Sequence, residues 1–249
     1  MAAVFAAGTG AGAVNAVVGS GTLITFPVLL ATGLSPVTAT VSNGLGLVPG
    51  SISAAIGYRE ELRGQRRRVR LLGIGAVLGG LAGAVLLLTL PESAFERIVP
   101  VLVSLALVLV ACQPLIAKQV RRRRPADAPV RRDGGPLLFT GLTLASVYGG
   151  YFSAAQGIIY VSLMGMLLDD TLQRLNAVKN VLAAVVNTVA AVLFVFFADF
   201  DWTAVLLIAV GSALGGLIGA RTGRRFSPAV LRTLIVSVGT VALVHLVLR

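Results

Sequence analysis

The first 58 residues contain no charged side chain, and this feature limits the fold more than any other. A soluble domain carries charge on roughly 25% of its residues, spread over its surface, so a long uncharged stretch cannot form one. The whole chain is 56% hydrophobic and 12% charged, with a mean hydropathy of +0.91. Its apolar runs lack the alternation of apolar and polar residues that is typical of the strands of a membrane-spanning β-barrel. We therefore predict an all-α polytopic membrane protein, in which each helix bonds its own backbone away from water.

The basic residues predict how the chain lies in the membrane. Sixteen of the 21 arginines and lysines fall in three short stretches, 59–70, 118–132 and 221–225. Loops rich in these residues stay on the cytoplasmic side. We therefore interpret the net charge of +11 as a topological signal, with some attraction to anionic headgroups, rather than as a nucleic-acid-binding surface. The predicted location is the plasma (inner) membrane, with a cytoplasmic basic linker and both termini on the outer side.

The chain repeats itself at an offset of about 136 residues. TVSNGLGLVPGSISAAIGY, from Thr40, aligns with AVKNVLAAVVNTVAAVLFV, from Ala177, and GAVLGGLAGA aligns with GSALGGLIGA. A stretch rich in proline, arginine and glycine, QVRRRRPADAPVRRDGGP, joins the two copies and should interrupt any helix. The predicted domains are a first transmembrane repeat (1–117), a basic linker (118–135) and a second transmembrane repeat (136–249).

Charges in equivalent loops indicate that the two repeats have opposite orientations. The loop after the second apolar segment is basic in the first repeat (59–70) but acidic in the second (199–201). The next loop is acidic in the first repeat (92–96) and basic in the second (221–225). Equivalent loops on opposite sides of the membrane are the signature of an inverted-topology repeat, a common build for secondary transporters.

Inversion requires an odd number of full crossings in each repeat, and three are easily placed. The predicted spans are 35–58, 71–90, 96–117, 175–198, 203–220 and 228–248. The remaining apolar segments, 2–31 and 137–168, hold about 30 residues each, whereas one crossing needs roughly 20 and two need roughly 40. Small and polar residues interrupt both segments, so we predict that each is a re-entrant or broken helix. The alternative is four full crossings per repeat and eight in all. The internal repeat would remain, but both repeats would then have the same orientation in the membrane.

Two glycine runs recur at equivalent positions of the repeats. Glycine occupies every fourth position from Gly75 to Gly83, and again from Gly211 to Gly219. Such smooth helix faces allow backbones to approach closely in lipid. We interpret them as packing surfaces between the two halves rather than as surfaces that slide during function.

One cation interrupts the predicted span 175–198. Lys179 lies beside a stripe formed by Asn176, Asn180 and Asn187, which share one helix face at about 100° per residue. A polar stripe on a spanning helix should face the bundle interior or an aqueous cavity. The alternative is that Lys179 snorkels to the headgroups, over a distance of roughly 7 Å along the helix.

The two interrupted segments predict an anion site. Each break opens a new helix, whose first amides lack internal partners and carry the positive end of the helix dipole. Gly21 and Gly157 permit close backbone approach, and Ser20 and Gln156 can donate hydrogen bonds to the oxygens of an anion. Lys179 would add a full positive charge. We expect two such ends, brought together by inversion near the midplane, to cradle an anion without a cofactor or metal.

Several motifs resemble those of the TauE/SafE family of sulfite exporters and related permeases: GSGTLITFP, LSPVTATVSN, GGYFSAAQGI, LNAVKN and GSALGGLIGA. The resemblance covers nearly the whole chain apart from the central linker. It implies transport of small sulfur-containing anions such as sulfite, thiosulfate or organosulfonates. Family members commonly carry a further glycine where this chain has Ser20, and a GxGQG-like turn where it has residues 153–157. By matching motif positions, the resemblance points to substrate-binding roles for Gln156, Asn176, Lys179, Asn180 and Asn43.

Other functions compete with that of a secondary transporter. A passive anion channel could use the same cradle, and the sequence leaves both open. A metal-ion permease would need carboxylate, histidine, cysteine or methionine ligands, in which the predicted core is poor. An intramembrane enzyme could be built only on Ser20 and the single histidine, His245, with no acid nearby. We predict a transporter rather than an enzyme, coupled to protons through Lys179, a tyrosine or the substrate itself.

Overall fold

The computed structural model describes residues 1–122, 134–222 and 228–247, and within them the chain forms ten α-helices and no strand. The helices are α1 (Ala2–Val17), α2 (Thr22–Ala31), α3 (Pro36–Gly57), α4 (Arg66–Thr89), α5 (Glu92–Arg122), α6 (Gly135–Tyr151), α7 (Gln156–Leu167), α8 (Leu172–Phe197), α9 (Trp202–Thr222) and α10 (Pro228–Val247). Six of these helices, α3, α4, α5, α8, α9 and α10, coincide with the six predicted spans. Four have both the length and the apolar character to cross a membrane, namely α4, residues Glu92–Ile116 of α5, α8 and α9. The prediction of an all-helical chain is confirmed.

Two helices extend beyond their predicted bounds. α5 continues to Arg122, inside the stretch predicted to be a linker that no helix crosses. Residues 118–122 are mostly lysine, glutamine and arginine, which form helices readily, and the first helix breaker comes only at Pro125. α4 begins at Arg66 rather than 71, because its arginines continue the helix beyond the apolar part. The remainder of the predicted linker, 123–133, lies outside the described residues.

Both segments predicted to be re-entrant or broken are interrupted helices. Residues 18–21 separate α1 from α2, and residues 152–155 separate α6 from α7. At the first break the chain turns back on itself, since a Cβ atom on Gly21 would lie 2.4 Å from the Ala11 main-chain oxygen. α2 and α7 have 10 and 12 residues, about 15 and 18 Å of helix, against roughly 30 Å of hydrocarbon. Neither can cross alone, so the predicted interruptions are present, while the number of full crossings stays a prediction.

α3 and α8, the helices that the internal repeat aligns, run in opposite directions. The hydroxyl of Ser42, early in α3, accepts a hydrogen bond from the amide of Asp201, just beyond the end of α8, at 3.0 Å. Beyond the other end of α3, the Gln65 side chain donates to the main-chain oxygen of Arg174, near the start of α8, at 3.3 Å. The beginning of each helix therefore lies beside the end of the other.

Helix packing keeps the same pattern when the two halves of the chain are exchanged. The helices α1, α3 and α4 of the first half correspond to α6, α8 and α9 of the second. α1 and α3 both pack on α9, and their counterparts α6 and α8 both pack on α4. α2 likewise contacts α10 as α7 contacts α5. The halves are interlocked, because each broken helix packs against a long helix of the other half.

The predicted glycine faces form the closest of these contacts. In α4, a Cβ atom on Gly83 would lie 2.1 Å from the main-chain oxygen of Val147 in α6. In α9, a Cβ atom on Gly215 would lie 2.0 Å from the main-chain oxygen of Thr9 in α1. Only a hydrogen atom fits at such positions, so the predicted packing role between the halves is confirmed.

Candidate functional site

The two helix breaks meet inside the protein. The Gly157 amide donates a hydrogen bond to the Gly19 main-chain oxygen at 3.1 Å, and a Cβ atom on either glycine would lie 2.4–2.5 Å from the Cα of the other. Gly19 also has a φ of +84°, a conformation that residues with a Cβ atom avoid. Phe152, in the second break, packs edge-on against Phe26 of α2 with 5.4 Å between ring centroids. Backbone contact and aromatic packing together hold the breaks against each other.

Lys179 is completely buried, and its ammonium group binds the end of α1. Nζ donates hydrogen bonds to the main-chain oxygens of Asn15 at 2.8 Å and Ala16 at 3.2 Å. The side-chain amides of Asn176 and Asn180 donate to the same Ala16 oxygen at 3.0 and 3.2 Å. Oxygens in the last turn of a helix lack partners within it and carry the negative end of the dipole, which suits a cation. Lys179 therefore reaches into the protein rather than toward the headgroups.

The stem of Lys179 also contacts the second break. A Cβ atom on Gly157 would lie 2.9 Å from Cδ of Lys179, so glycine leaves room for the lysine side chain. Four of the predicted site residues, Asn176, Lys179, Asn180 and Gly157, are thus brought together where α1, α7 and α8 meet.

The first turns of α2 and α7 present main-chain amides without acceptors. In the described part of the chain, the amides of residues 20–22 and 154–156 donate no hydrogen bond, and neither helix has a side-chain cap. The hydroxyl of Ser20, a residue that is 1% exposed, also has no partner among the described residues. Buried polar groups without partners cost free energy, and the start of a helix carries partial positive charge. These groups are chemically suited to bind the oxygens of an anion.

Gln156 lies at the start of a buried chain of hydrogen bonds. Its Nε2 donates to Tyr160 Oη at 2.6 Å, and Tyr160 Oη lies 2.6 Å from Ser146 Oγ. Ser146 Oγ in turn donates to the main-chain oxygen of Leu142 at 2.7 Å, so the tyrosine hydroxyl donates to the serine. This chain fixes the Gln156 side chain beside the second break. Tyr160 and Ser146 were not predicted from the sequence, although Tyr160 follows Gln156 by one helical turn, a spacing that places both on one face.

Two predicted site residues bind elsewhere. Asn43 contacts the first turn of α2, where its side chain donates to Thr22 Oγ1 at 3.2 Å and accepts from Thr25 Oγ1. Asn187 donates to Ser51 Oγ of α3 at 3.0 Å, which joins α8 to α3. Neither threonine was predicted, because hydroxyls in an apolar helix give no separate signal. The side chain of His245, named in the enzyme alternative, lies outside the described residues.

Two cavities in the described part of the chain lie away from these residues. One, of about 520 Å³, is an apolar groove between α3 and α8 with Arg59 at one end. Another, of about 300 Å³, lies among the charged side chains of Glu60, Glu61 and Arg221. No predicted site residue lines either of these two cavities.

A helical bundle in which two interrupted helices meet beside a buried cation has the architecture of a membrane transporter. The chain belongs to the sulfite exporter TauE/SafE family, whose model matches residues 4–246. This confirms the resemblance found in the motifs.

Individual relatives agree with this assignment. The chain is 27% identical over 235 residues to the probable membrane transporter protein YfcA of Escherichia coli K12, covering 93% of this chain and 83% of that protein. It is 26% identical over 239 residues to a probable membrane transporter protein of Haemophilus influenzae, covering 95% and 90%. It is 24% identical over 249 residues to the probable membrane transporter protein ORF9 of a Sinorhizobium species, covering 99% and 92%. No solved structure matches the chain. With four apolar helices of spanning length in the described residues, the chain is a multi-pass membrane protein of a transporter family.

Proposed function

We propose that this protein is a secondary transporter for small sulfur-containing anions, such as sulfite, thiosulfate and organosulfonates, in the plasma (inner) membrane. Its two halves act as inverted repeats, with the basic linker cytoplasmic and both termini outside. The opposite directions of α3 and α8 and the exchangeable packing pattern support the inversion. The description of the family supports the substrate class. Rocking of one repeat against the other would expose the helix breaks to each side in turn.

The anion binds at the two half-helix starts. The observation that carries this proposal is the buried Ser20 hydroxyl without a partner, beside main-chain amides that also lack acceptors. A sulfur oxyanion offers several acceptor oxygens and a negative charge, which these donors and the positive dipole ends complement. Gln156 has a second N–H available after its bond to Tyr160. Gly21 and Gly157 contribute indirectly, because they allow the close backbone contacts that bring the two half-helix starts into place.

Lys179 attracts the anion mainly through its positive charge rather than through hydrogen bonds to it. Two of its three N–H groups are bonded to the end of α1, so one remains for the anion. Asn176 and Asn180 hold the same end of α1, Asn43 holds the first turn of α2, and Asn187 joins α3 to α8. These four asparagines therefore position the broken helices around the anion.

A binding screen of purified protein tests the proposal. Sulfite, sulfate, thiosulfate, sulfoacetate and taurine are titrated into the wild type, Ser20→Ala and the control Ser53→Ala, whose hydroxyl is buried but already bonded to Gly50. A hydrogen bond to a charged group contributes about 1.5–3 kcal/mol, so Ser20→Ala should weaken anion binding roughly 10-fold or more. The melting temperature of Ser20→Ala should not fall, because the lost hydroxyl has no partner. Equal anion affinity in all three proteins would contradict the site.

Reconstituted vesicles separate a transporter from a passive anion channel. A proton gradient is imposed across the membrane while the anion is present at equal concentration on both sides. A proton-coupled transporter accumulates the anion against its gradient, whereas a channel without coupling only lets it follow the membrane potential. If the net anion flux at a clamped membrane potential does not change with the proton gradient, the result would contradict proton coupling and favour a passive anion channel.

A further inference from the structure

We propose that two adjoining cavities on the side of the predicted cytoplasmic loops bind one phospholipid whose headgroup carries both a phosphate and an ammonium group, namely phosphatidylethanolamine. The first cavity is the apolar groove between α3 and α8, and the second is the polar cavity beside it. Ile56 and Arg59 line both, so the two cavities adjoin. An acyl chain of the lipid lies in the first cavity and its headgroup in the second.

The apolar groove has the chemistry and the length to hold an acyl chain. Apart from Arg59 and Thr188, its lining consists of alanine, valine and isoleucine, and its volume is about 520 Å³. Along α8 it extends from Val181 to Val189, about 12 Å at helical rise. One leaflet contributes about 15 Å, half of the hydrocarbon core, so the groove can follow a chain through most of a leaflet. Ile56 on its lining is exposed, as expected of a surface that faces lipid.

The charges at the end of the groove suit a headgroup. Arg59 is exposed and begins the basic stretch 59–70, which the sequence predicts to be cytoplasmic. The polar cavity, of about 300 Å³, adds Arg221 from the end of α9 and the acidic side chains of Glu60 and Glu61. In the described part of the chain, none of Arg59, Glu60 and Arg221 forms an ion pair. These three charges are therefore available to a ligand.

The order of these groups along the protein matches the order of groups along the lipid. In phosphatidylethanolamine the phosphate lies between the acyl chains and the ammonium, and Arg59 lies between the apolar groove and the two glutamates. A guanidinium binds phosphate oxygens through paired N–H donors, and a primary ammonium donates up to three hydrogen bonds to carboxylates. Phosphatidylcholine lacks these N–H groups and phosphatidylglycerol lacks the cation, so the glutamates should select against both.

A lipid bound in this way touches both halves of the chain. α3 and residues 59–61 belong to the first half, and α8 and α9 belong to the second. Binding should therefore stabilise the relative position that the halves have in this conformation. The proposal requires the predicted membrane orientation but not the anion site.

Native mass spectrometry of delipidated protein in detergent tests the headgroup. Dioleoyl forms of the three lipids are titrated into the wild type, Arg59→Gln, Glu60→Gln, the double variant Glu60→Gln/Glu61→Gln and the control Arg70→Gln. Arg70 is an exposed arginine of the same basic stretch and lines neither cavity. We expect the wild type and Arg70→Gln to bind phosphatidylethanolamine about fivefold more tightly than the other lipids. Arg59→Gln should weaken binding of all three lipids, and the preference should fall in Glu60→Gln and disappear in the double variant.

Thr188→Trp tests the groove. Thr188 is exposed on the groove lining, so an indole there occupies the space of the acyl chain. Val195→Trp is the matched control, because Val195 is an exposed position of the same helix that lines neither cavity. Thr188→Trp should weaken binding of all three lipids several-fold, and Val195→Trp should not. Both sites are exposed, so the lipid-free melting temperatures of the two variants should stay close to that of the wild type.

Equal affinity of the wild type for the three lipids would overturn the proposal, and so would unchanged lipid binding by Thr188→Trp. Tightest binding of phosphatidylglycerol would also overturn it, because attraction of anionic headgroups would then suffice. A dimer of the delipidated protein that Thr188→Trp dissociates and phosphatidylethanolamine does not would assign the groove to a second copy of the chain instead. No sulfur anion is present in these experiments, so their failure would leave the anion site standing, and loss of the anion site would not change the lipid preference.

Discussion

At the scale of single residues, the two helix breaks differ in the backbone they must adopt. The first break uses Gly19 for its left-handed position, at a φ of +84°. The second places Ser153 and Ala155 at φ values of +68° and +58°. For a residue with a Cβ atom this region costs roughly 1–2 kcal/mol. The second break is therefore strained where the motif resemblance would place glycines.

Ala155→Gly should stabilise the protein. Relief of the left-handed strain outweighs the greater freedom that glycine gives the unfolded chain, for a net gain of about 0.5–1 kcal/mol and a rise of roughly 1–4 °C in melting temperature. Ala154→Gly is the matched control, because the neighbouring alanine is not in the left-handed region and its substitution should lower the melting temperature. A fall in both variants would contradict the strain at Ala155.

The sequence predicted which polar residues face inward, but not what they bind. Asn176, Asn180 and Asn187 form a polar stripe on an apolar helix, with Lys179 beside it, and such a stripe is expected to face the protein interior. Apart from that of Asn187, their partners are main-chain oxygens of Asn15 and Ala16, about 160 residues away, which carry no signal in the sequence. Asn43, which the internal repeat aligns with Asn180, binds threonine hydroxyls of α2 instead. The equivalent residues of the two repeats therefore make different contacts.

At the scale of helices, the glycine faces of α4 and α9 set how closely the two halves approach. Gly83→Ala would place a Cβ atom 2.1 Å from the main-chain oxygen of Val147, a contact that only a shift of α6 could relieve. Overpacking of this kind costs typically 1–3 kcal/mol, so the melting temperature should fall by several degrees. In the same helix, Gly73 has nothing within 4 Å of its added Cβ atom, and Gly73→Ala should be neutral or slightly stabilising. Equal effects of the two substitutions would contradict the packing role.

Helix positions were predictable where length and composition determine them. The predicted bounds of α3, α8 and α9 lie within three residues of the observed bounds. An apolar run of about 20 residues has the length of one helical crossing of the hydrocarbon, and this length sets both ends. The end of α5 was misplaced, since arginines permit a helix to continue into water and only Pro125 sets a limit. The reversal of direction at residues 18–21 depends on close backbone contacts with Ala11, which composition does not reveal.

At the scale of the whole molecule, Asp170 joins the two halves on the side of the predicted cytoplasmic loops. Its carboxylate accepts hydrogen bonds from Arg68 of α4 at 2.7 Å and from Arg174 of α8 at 2.8 Å. Burial acts to raise the pKa of Asp170, but the hydrogen bonds from Arg68 and the Thr171 amide and the charge of Arg174 hold it below its usual value. Motion of one half against the other on this side would have to break the pair between α4 and Asp170.

Asp170→Asn should lower stability by about 1–2 kcal/mol at neutral pH, because the arginines lose a partner that is largely buried. Because the pKa of Asp170 is lower in the folded state, its ionised carboxylate stabilises the protein fully at pH values above the unfolded pKa of about 3.9. This stabilisation is lost as the pH falls through the pKa of the folded state. The difference in melting temperature between wild type and Asp170→Asn should therefore disappear in strong acid. Asp199→Asn, at an exposed carboxyl, is the control that should change little at any pH. A difference that is constant with pH would exclude the ionised pair as its cause.

The inverted arrangement of the two halves, which stays a prediction, was inferred from the internal repeat and the charges of equivalent loops. Basic and acidic loops that exchange sides between the repeats indicate inversion, and the opposite directions of α3 and α8 agree with it. What the sequence could not supply was the interlocking of the halves, since α1 packs on α9 and α6 on α4 through backbone contacts at glycine.

A structure determined by experiment with thiosulfate bound tests the central claim most directly. Density for the anion is predicted within hydrogen-bonding distance of Ser20 Oγ and of the first amides of α2 or α7, on the side of the breaks next to Lys179. Density at saturating thiosulfate only in the groove beside Arg59 or among Glu60, Glu61 and Arg221 would contradict the proposed site.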